Sequence, residues 1–420
     1  MAPSADATTD RRGRIRVAVT GMGIKAPAGL TIDDYWTRLA SGVSCGAPIR
    51  RWDASAMPVG IGCEVPEFDI STYVAPKEAR RLDRVAQLGF AAAADALADA
   101  GELGADPARC AVVAGVGIGG LQTLEDQDQT LVAKGPLRVS PFTVPMMMAN
   151  ATPALVSLQF GWNGPNLAIA TACAASTNAI GEAAALIRHG DADVVMGMGA
   201  EACMTPLAIA AFSRMTALST RVDDPEHASR PFDVDRDGFV MGEGAGALLL
   251  ERWDRAVARG AHIYAELVGY GRNADAFHIT APSPGGEGAA ACMQLALDDA
   301  GLEPGAIGHI NAHGTSTPLN DAAEAIAITK VFGGHSPVIT STKGVTGHMI
   351  GAAGAAEAVA AILAITRGEV PPTANLDQID PAIALDVVHG EPRPLDPAPA
   401  LSNSFGFGGH NASLVFVPTA

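Results

Sequence analysis

Aromatic residues are scarce in this chain, 5% of 420 residues, and charged residues make up only 17%. With so little charge and 48% hydrophobic content, the sequence excludes an intrinsically disordered chain, and the shortage of rings favours helices packed closely on sheets through Ala, Gly and aliphatic side chains. Positive charge is short as well: 28 Lys and Arg face 45 Asp and Glu, a formal net charge of −17, which opposes nonspecific binding to nucleic acid because phosphates need a basic face. Cys45, Cys63, Cys110, Cys173, Cys203 and Cys292 lack the paired spacing of a disulfide scaffold or a zinc site. Residues 1–12 lack the apolar core of a secretory signal and read as a frayed tail. No uninterrupted apolar run reaches membrane-spanning length, since Gly, Pro, Asp or Arg punctuates each one. These absences point to a soluble protein of the reducing cytoplasm, with no membrane and no nucleic-acid partner.

What the chain does hold is alternation. Its length exceeds the usual size of one hydrophobic core, so two domains or a duplicated unit are expected. Buried-strand candidates at Ile15 to Val19, Ala111 to Ala114, Val194 to Met198 and Gly246 to Leu250 are separated by helical runs such as Arg81 to Ala100, which stops at Gly101. After Arg259-Gly260 the pattern starts again, with strands predicted at Ala265 to Val268, His309 to Ala312, Val338 to Ser341, Ala400 to Ser404 and Ala412 to Val417, and helices over Gly288 to Ala300, Ala322 to Val331 and Gly351 to Arg367. The reading is an α/β protein with a disordered tail at 1–13 and two halves of similar build, 14–260 and 261–420.

The chemistry-bearing residues sit at predicted strand ends. Cys173 lies in Ala170-Thr171-Ala172-Cys173-Ala174-Ala175-Ser176-Thr177, ahead of the periodic run Ala179, Ile180, Ala183, Ala184, Ile187. That pattern predicts a strand, a tight turn and a helix with the thiol at the turn, where the helix dipole favours thiolate, the form that attacks an acyl group. Taken alone, such a cysteine is more often a buried small hydrophobe. His313 and His348 each follow a predicted strand in a glycine-rich loop, where open α/β folds place ligands. Either one alone suits a structural hydrogen bond equally well. Glycines around Phe407 let backbone N–H groups approach a ligand closely, although taken alone they read better as a plain β-turn between two strands.

Together these segments resemble one family. Thr171-Ala172-Cys173, Asn311-Ala312-His313-Gly314-Thr315, Lys343 through Gly354 and Asn403 through Gly409 are similar, in order and approximate spacing, to the signature set of the β-ketoacyl-acyl carrier protein synthases, with Ser229-Arg230-Pro231-Phe232-Asp233 and Arg236-Asp237-Gly238-Phe239-Val240 in support. The resemblance runs from Val17 to Phe416 and is closest to the elongating type II enzymes.

It implies a thiolase-like fold of duplicated α/β halves in a five-layer αβαβα arrangement, and a dimer. It implies that Cys173 carries the acyl chain as a thioester, that the N–H groups of Cys173 and Phe407 form the oxyanion hole, and that His313 and His348 assist decarboxylation of malonyl-acyl carrier protein. Lys343 and Glu357 match a supporting charged pair, with a purely structural ion pair as the alternative. Ile118, Phe142, His278, Thr280, Thr315, Thr317, Phe405 and Phe407 match substrate-binding positions. Asp321 and Glu324 read as braces of the His313 loop. Lys77, Arg80, Arg81 and Arg138 match a carrier-docking surface, while Thr216 and Leu137 stand where related enzymes often carry arginine. No metal or organic cofactor is implied.

The expected reaction is decarboxylative Claisen condensation in fatty-acid elongation. The alternative is the catalytic ketosynthase of a type II polyketide system, with the same chemistry and a chain-length subunit in place of a second copy. A noncatalytic chain-length partner is opposed by Cys173, and a metal-dependent hydrolase built on His309, His313, His335 or His348 matches no ligand spacing.

Overall fold

The computed structural model describes residues 8–419. Ten strands form its main sheet: β1 (Val17–Lys25), β2 (Cys110–Gly115), β3 (Asn166–Ile169), β4 (Val194–Glu201), β5 (Gly244–Arg252), β6 (Ala265–Ala274), β7 (His309–Asn311), β8 (Val338–Thr340), β9 (Ala400–Gly406) and β10 (His410–Pro418). Six helices cover them: α1 (Arg84–Ala100), α2 (Ala151–Phe160), α3 (Ala175–His189), α4 (Glu287–Ala300), α5 (Pro318–Phe332) and α6 (Ala353–Arg367).

The strand order is β3-β2-β4-β5-β1 in the first half and β8-β7-β9-β10-β6 in the second. In each half the first three strands named are parallel and the last two antiparallel, so the two halves share one topology. They meet where β1 pairs with β6 through Ala18–Glu266 and Val19–Ala265. Helices α1 and α2 cover one outer face, α4 and α5 the other, while α3 and α6 pack on each other and lie between the two sheet halves. This is the five-layer duplicated arrangement expected.

The strands read as near-continuous hydrophobic runs because helices cover both faces. Every residue of β4 is buried, and α6 is buried along nearly its whole length. The Ile350–Arg367 segment is long and apolar enough to cross a membrane, but it fills the central layer instead. Small residues set the spacing: a Cβ on Gly246 of β5 would stand 2.7 Å from the Ala356 nitrogen of α6.

Two local expectations are corrected. The helix expected from Arg81 starts at Arg84, because the Asp83 side chain accepts from the Val85 N–H and fixes the cap there. Lys77 therefore lies on a separate short helix, Pro76–Ala79, with Arg80 and Arg81 in the turn after it. Of the expected tail, residues 1–7 lie outside the described residues, and 8–13 are not frayed. Thr9 bridges Ile15, the Asp10 carboxylate accepts from the Arg12 and Arg14 N–H groups at 2.8 and 2.9 Å, and Arg14 reaches Asp299 at 2.5 Å.

Replacing Gly246 with Val drives two methyl groups into the α6 backbone. The expected loss is about 1–3 kcal/mol from overpacking, read as a lower midpoint in thermal or denaturant unfolding; an unchanged midpoint would contradict the packing of this layer.

Candidate active site

Both halves present the carboxyl ends of their parallel strands to a common cleft, the usual place for ligands in open α/β sheets. Cys173 follows β3 and His348 follows the structurally equivalent β8; His313 follows β7, and Ile118 follows the equivalent β2. A cleft of about 460 Å³ is lined by Cys173, His313 and His348 together with Ile118, Thr280, Thr315, Thr317, Phe405 and Phe407.

The nucleophile's turn is built in three ways. Ala172 takes a positive φ of 50°, a strained conformation for an alanine, between the end of β3 and the start of α3. Thr171 donates its hydroxyl to Asn178 Oδ1 at 2.6 Å, tying the turn to the helix it precedes. The end of β9 then lies directly on it, since a Cβ on Gly406 would come within 2.9 Å of the Thr171 oxygen and 3.0 Å of the Cys173 nitrogen. Only glycine permits that approach.

Cys173 Sγ is 3.0 Å from His348 Nε2, and the His313 and His348 rings cross edge-on with centroids 5.4 Å apart. Behind His313, the buried Lys343 ammonium contacts His313 Nδ1 at 3.3 Å, donates to the His313 carbonyl at 2.6 Å and forms a buried ion pair with Glu357 on α6. Because an ammonium only donates, His313 Nδ1 must accept, which puts the proton of the neutral ring on Nε2. The His313 loop is braced by Glu324, whose carboxylate accepts from the His313 and Gly314 N–H groups at 2.8 and 2.7 Å. Asp321 likewise accepts from the Phe232 N–H at 2.9 Å.

Burial dominates the electrostatics. It pushes the Cys173 thiol up to about 11, against the opposing pull of Lys343 and of the Phe407 and Cys173 N–H groups directed at the sulfur. Burial thus holds the resting group as a thiol at neutral pH and opposes the thiolate that the helix position favours. Burial and Lys343 hold both histidines well below their usual value, so both rings are neutral. Ligand atoms of Cys173, His313 and His348 lie within 4.8 Å of one another, a composition that suits a metal. Among the described residues no fourth ligand joins the set, however, and the Lys343 ammonium on His313 opposes a second cation there.

Phe142 and His278 do not reach this cleft. Phe142 is partly exposed under the Arg81 guanidinium, 4.4 Å from its ring centroid, and His278 is exposed and uses Nδ1 to accept from the Thr280 and Ala281 N–H groups at 3.1 Å. Lys77, Arg80, Arg81 and Arg138 are all exposed. Two features had no reading in the sequence. Phe212 and Phe239 form an aromatic chain from Phe407 to His348, with successive centroids 6.4, 5.6 and 5.3 Å apart. Glu201, at the end of β4, is a fully buried carboxylate facing the Ile118 loop; its one sequence signal is a lone charge ending an apolar run.

A thiol held near 11 titrates far above neutrality. Alkylation of Cys173 by iodoacetamide, followed on its own peptide by mass spectrometry, is expected to rise nearly tenfold per pH unit between about pH 7 and 9; a plateau below about pH 9 would contradict a desolvated sulfur.

Comparison with known proteins agrees with this geometry. The family model described as "Beta-ketoacyl synthase, N-terminal domain" matches residues 14–256, and "Beta-ketoacyl synthase, C-terminal domain" matches residues 264–377. Curated relatives named "3-oxoacyl-[acyl-carrier-protein] synthase 2" include one from Synechocystis sp., 50% identical over 96% of this chain and 97% of its own length. Another, from Staphylococcus aureus, is 48% identical over 96% and 98%. Among solved structures, a β-ketoacyl synthase from Burkholderia phymatum superposes with a TM-score of 0.90 at 37% identity, covering 96% of this chain and all (100%) of that one. The type II polyketide complex AntDE:AntF, a ketosynthase with its acyl-carrier protein, gives 0.89 at 32% identity over 97% and 100%. With its thiol and two imidazoles at the facing ends of duplicated sheets, and similarity over most of its length on every comparison, the chain belongs to the β-ketoacyl synthase family.

Proposed function

We propose that this enzyme performs the elongating condensation of fatty-acid synthesis, joining an acyl chain held on Cys173 to malonyl-acyl carrier protein. The observation that carries the reading is the 3.0 Å contact of Cys173 Sγ with His348 Nε2, with His313 completing a buried group whose ligand atoms lie within 4.8 Å.

In the first step the sulfur attacks the thioester carbonyl of an acyl-carrier protein. The developing oxyanion is taken by the N–H groups of Cys173 and Phe407, donors of a kind worth about 2.7–4 kcal/mol each in acyl transfer. The carrier thiol leaves with the proton that the Cys173 thiol gives up, so the cysteine ends as a thioester. Lys343 and the two amides pull the thiol towards its anion.

In the second step malonyl-carrier protein loses carbon dioxide and leaves an enolate. Nε2 of His313, protonated because Lys343 occupies Nδ1, and Nε2 of His348 donate to the enolate oxygen in a pocket walled by Phe405, Phe239 and Phe407. The enolate carbon attacks the Cys173 thioester, the sulfur leaves and takes up a proton, and β-ketoacyl-acyl carrier protein departs. Glu357 keeps the Lys343 ammonium in place. Thr315 and Thr317, hydroxyls 2.9 Å apart in the cleft, suit the pantetheine arm, with Thr280 on the same wall; Ile118 suits the acyl chain.

The curated relatives named "3-oxoacyl-[acyl-carrier-protein] synthase 2" are 45–50% identical to this chain, whereas the ishigamide ketosynthase/chain length factor is 36% identical. That difference favours elongation over the polyketide reading. We read the chain as two functional halves divided near 260, with Cys173 in the first and both histidines in the second. A second copy is the partner that the exposed edge of β3 suits best: Leu167 is half exposed and Leu158 on α2 nearly so throughout, an apolar strip beside an unpaired strand edge. Six free cysteines fit a reducing cytoplasm. The exposed Lys77, Arg80, Arg81 and Arg138 suit the acidic carrier protein despite the net charge of −17, because screening confines charge effects to about 8–10 Å.

Cys173→Ala is expected to abolish acyl transfer, while His313→Ala and His348→Ala still form the Cys173 thioester and lose malonyl decarboxylation by about a hundredfold or more; full condensing activity in both histidine variants, measured by product mass, would refute these roles. Reversing Lys77, Arg80 and Arg81 to Glu is expected to raise KM for carrier-bound substrate most at low salt, and a KM unchanged across ionic strength would dismiss that surface.

A further inference from the structure

Glu201 ends β4 with its carboxylate fully buried, and among the described residues it makes no ion pair. It is held by backbone alone. Oε2 accepts from the Gly117 N–H at 2.8 Å, the Ile118 N–H at 3.2 Å and the Gly351 N–H at 3.3 Å; Oε1 accepts from Ile118 at 3.4 Å and Gly119 at 3.5 Å.

These amides come from two different walls of the cleft. Gly117–Gly119 follows β2 and carries Ile118 into the cleft, whereas Gly351 belongs to the turn just beyond His348. The two loops touch over the carboxylate: a Cβ on Gly117 would stand 2.5 Å from Oε2, 3.3 Å from Ile350 Cγ2 and 3.5 Å from the Gly351 nitrogen. Ile350 itself is held at a φ of 45°, a strained value for a β-branched residue.

We propose that the Glu201 anion is a clasp that closes the acyl-chain wall onto the His348 turn, making Glu201 a positioning residue for the condensation. The inference rests on the condensing reading above and adds a residue outside the reacting set. A carboxylate can accept all four amides at once; a carboxylic acid presents an O–H to a ring of donors and must release at least one of them. Releasing one frees the Ile118 loop or the His348 turn.

Burial pushes the Glu201 carboxyl up to about 7, against the pull of the four amides, so the clasp changes state across neutral pH. The side chains facing it do not titrate there. Cys203, just past β4, and Cys173 are both pushed up by burial, and His348 is held down; Glu243, which also acts on Cys203, is paired with Arg84 at 2.6 Å. Gly117, Ile118, Gly119 and Gly351 carry no ionisable side chain.

The test compares wild type with Glu201→Gln, an isosteric change that keeps one acceptor oxygen but points an amide donor at the loops. Condensation is measured with acyl- and malonyl-carrier protein from pH 5.5 to 8.5, and the ratio of wild-type to variant kcat/KM is taken at each pH. Titration of Cys173 and the histidines is common to both proteins and cancels. The expected ratio is about one at low pH and rises through neutrality to roughly tenfold at high pH. As a second measurement independent of the variant's folding, hydrogen exchange in wild type is expected to show amides 117–119 and 351 losing protection as pH falls through about 7, after correction for intrinsic exchange. A ratio flat with pH, or protection unchanged across that range, overturns the clasp. A wild-type protein that condenses at no pH sinks the condensing reading instead.

Discussion

The close contact of α3 and α6 between the two halves of the sheet is the constraint on which the site depends. Each helix starts at a reactive turn: α3 just after Cys173, and α6 just after the loop that carries Lys343, His348 and Gly351. The two turns can face one another only if the helices approach to backbone contact. Gly354 makes room for Thr177, and Gly115 and Gly199 make room for Ser176, which in turn accepts from the Ala355 N–H at 2.9 Å. The abundance of Ala and Gly is therefore not merely compositional. It is what lets residues far apart in the chain share one dry chamber.

That chamber works by exclusion of water. Inside it the thiol stays protonated and the imidazoles stay neutral, so the one fixed positive charge is the Lys343 ammonium, itself neutralised by Glu357. A buried ion pair is a poor source of stability, but here it has a chemical consequence: it decides which nitrogen of His313 carries the proton. The reacting groups then meet charge only as it develops on an oxyanion or an enolate, where preoriented N–H donors in a low-dielectric site are most effective. Glu201 and Glu324 stand outside the reacting set as paired examples of one device, a buried carboxylate that gathers backbone amides and so shapes a loop; burial raises both to about 7.

Much of this was legible in the chain. Buried strands between helices announced an α/β fold, and the motifs around Cys173, His313, His348 and Phe407 marked the site because small residues must lie wherever backbone approaches a ligand. Less legible were the places where a local pattern competes with a specific contact. The helix expected from Arg81 begins at Arg84 because one side chain, Asp83, caps it. Phe142 and His278 match a family pattern yet lie off the cleft, each engaged by neighbours on the surface. At Cys173 burial opposes the thiolate that the helix position favours, since helix position can be read from periodicity but the depth of burial cannot.

The sequence by itself determined the alternation of strands and helices, the repetition of one unit, and the identity of a sulfur and two imidazoles at strand ends, because each of these is a matter of local pattern and residue type. Only the tertiary structure decided that the two units share a topology, that their equivalent strand ends face one another, and that Lys343 orients one ring while Glu201 clasps two loops. Those outcomes depend on distances between residues that are 30 to 175 positions apart along the chain, as Lys343 is from His313 and His348 from Cys173, and such distances exist only once the layers have packed.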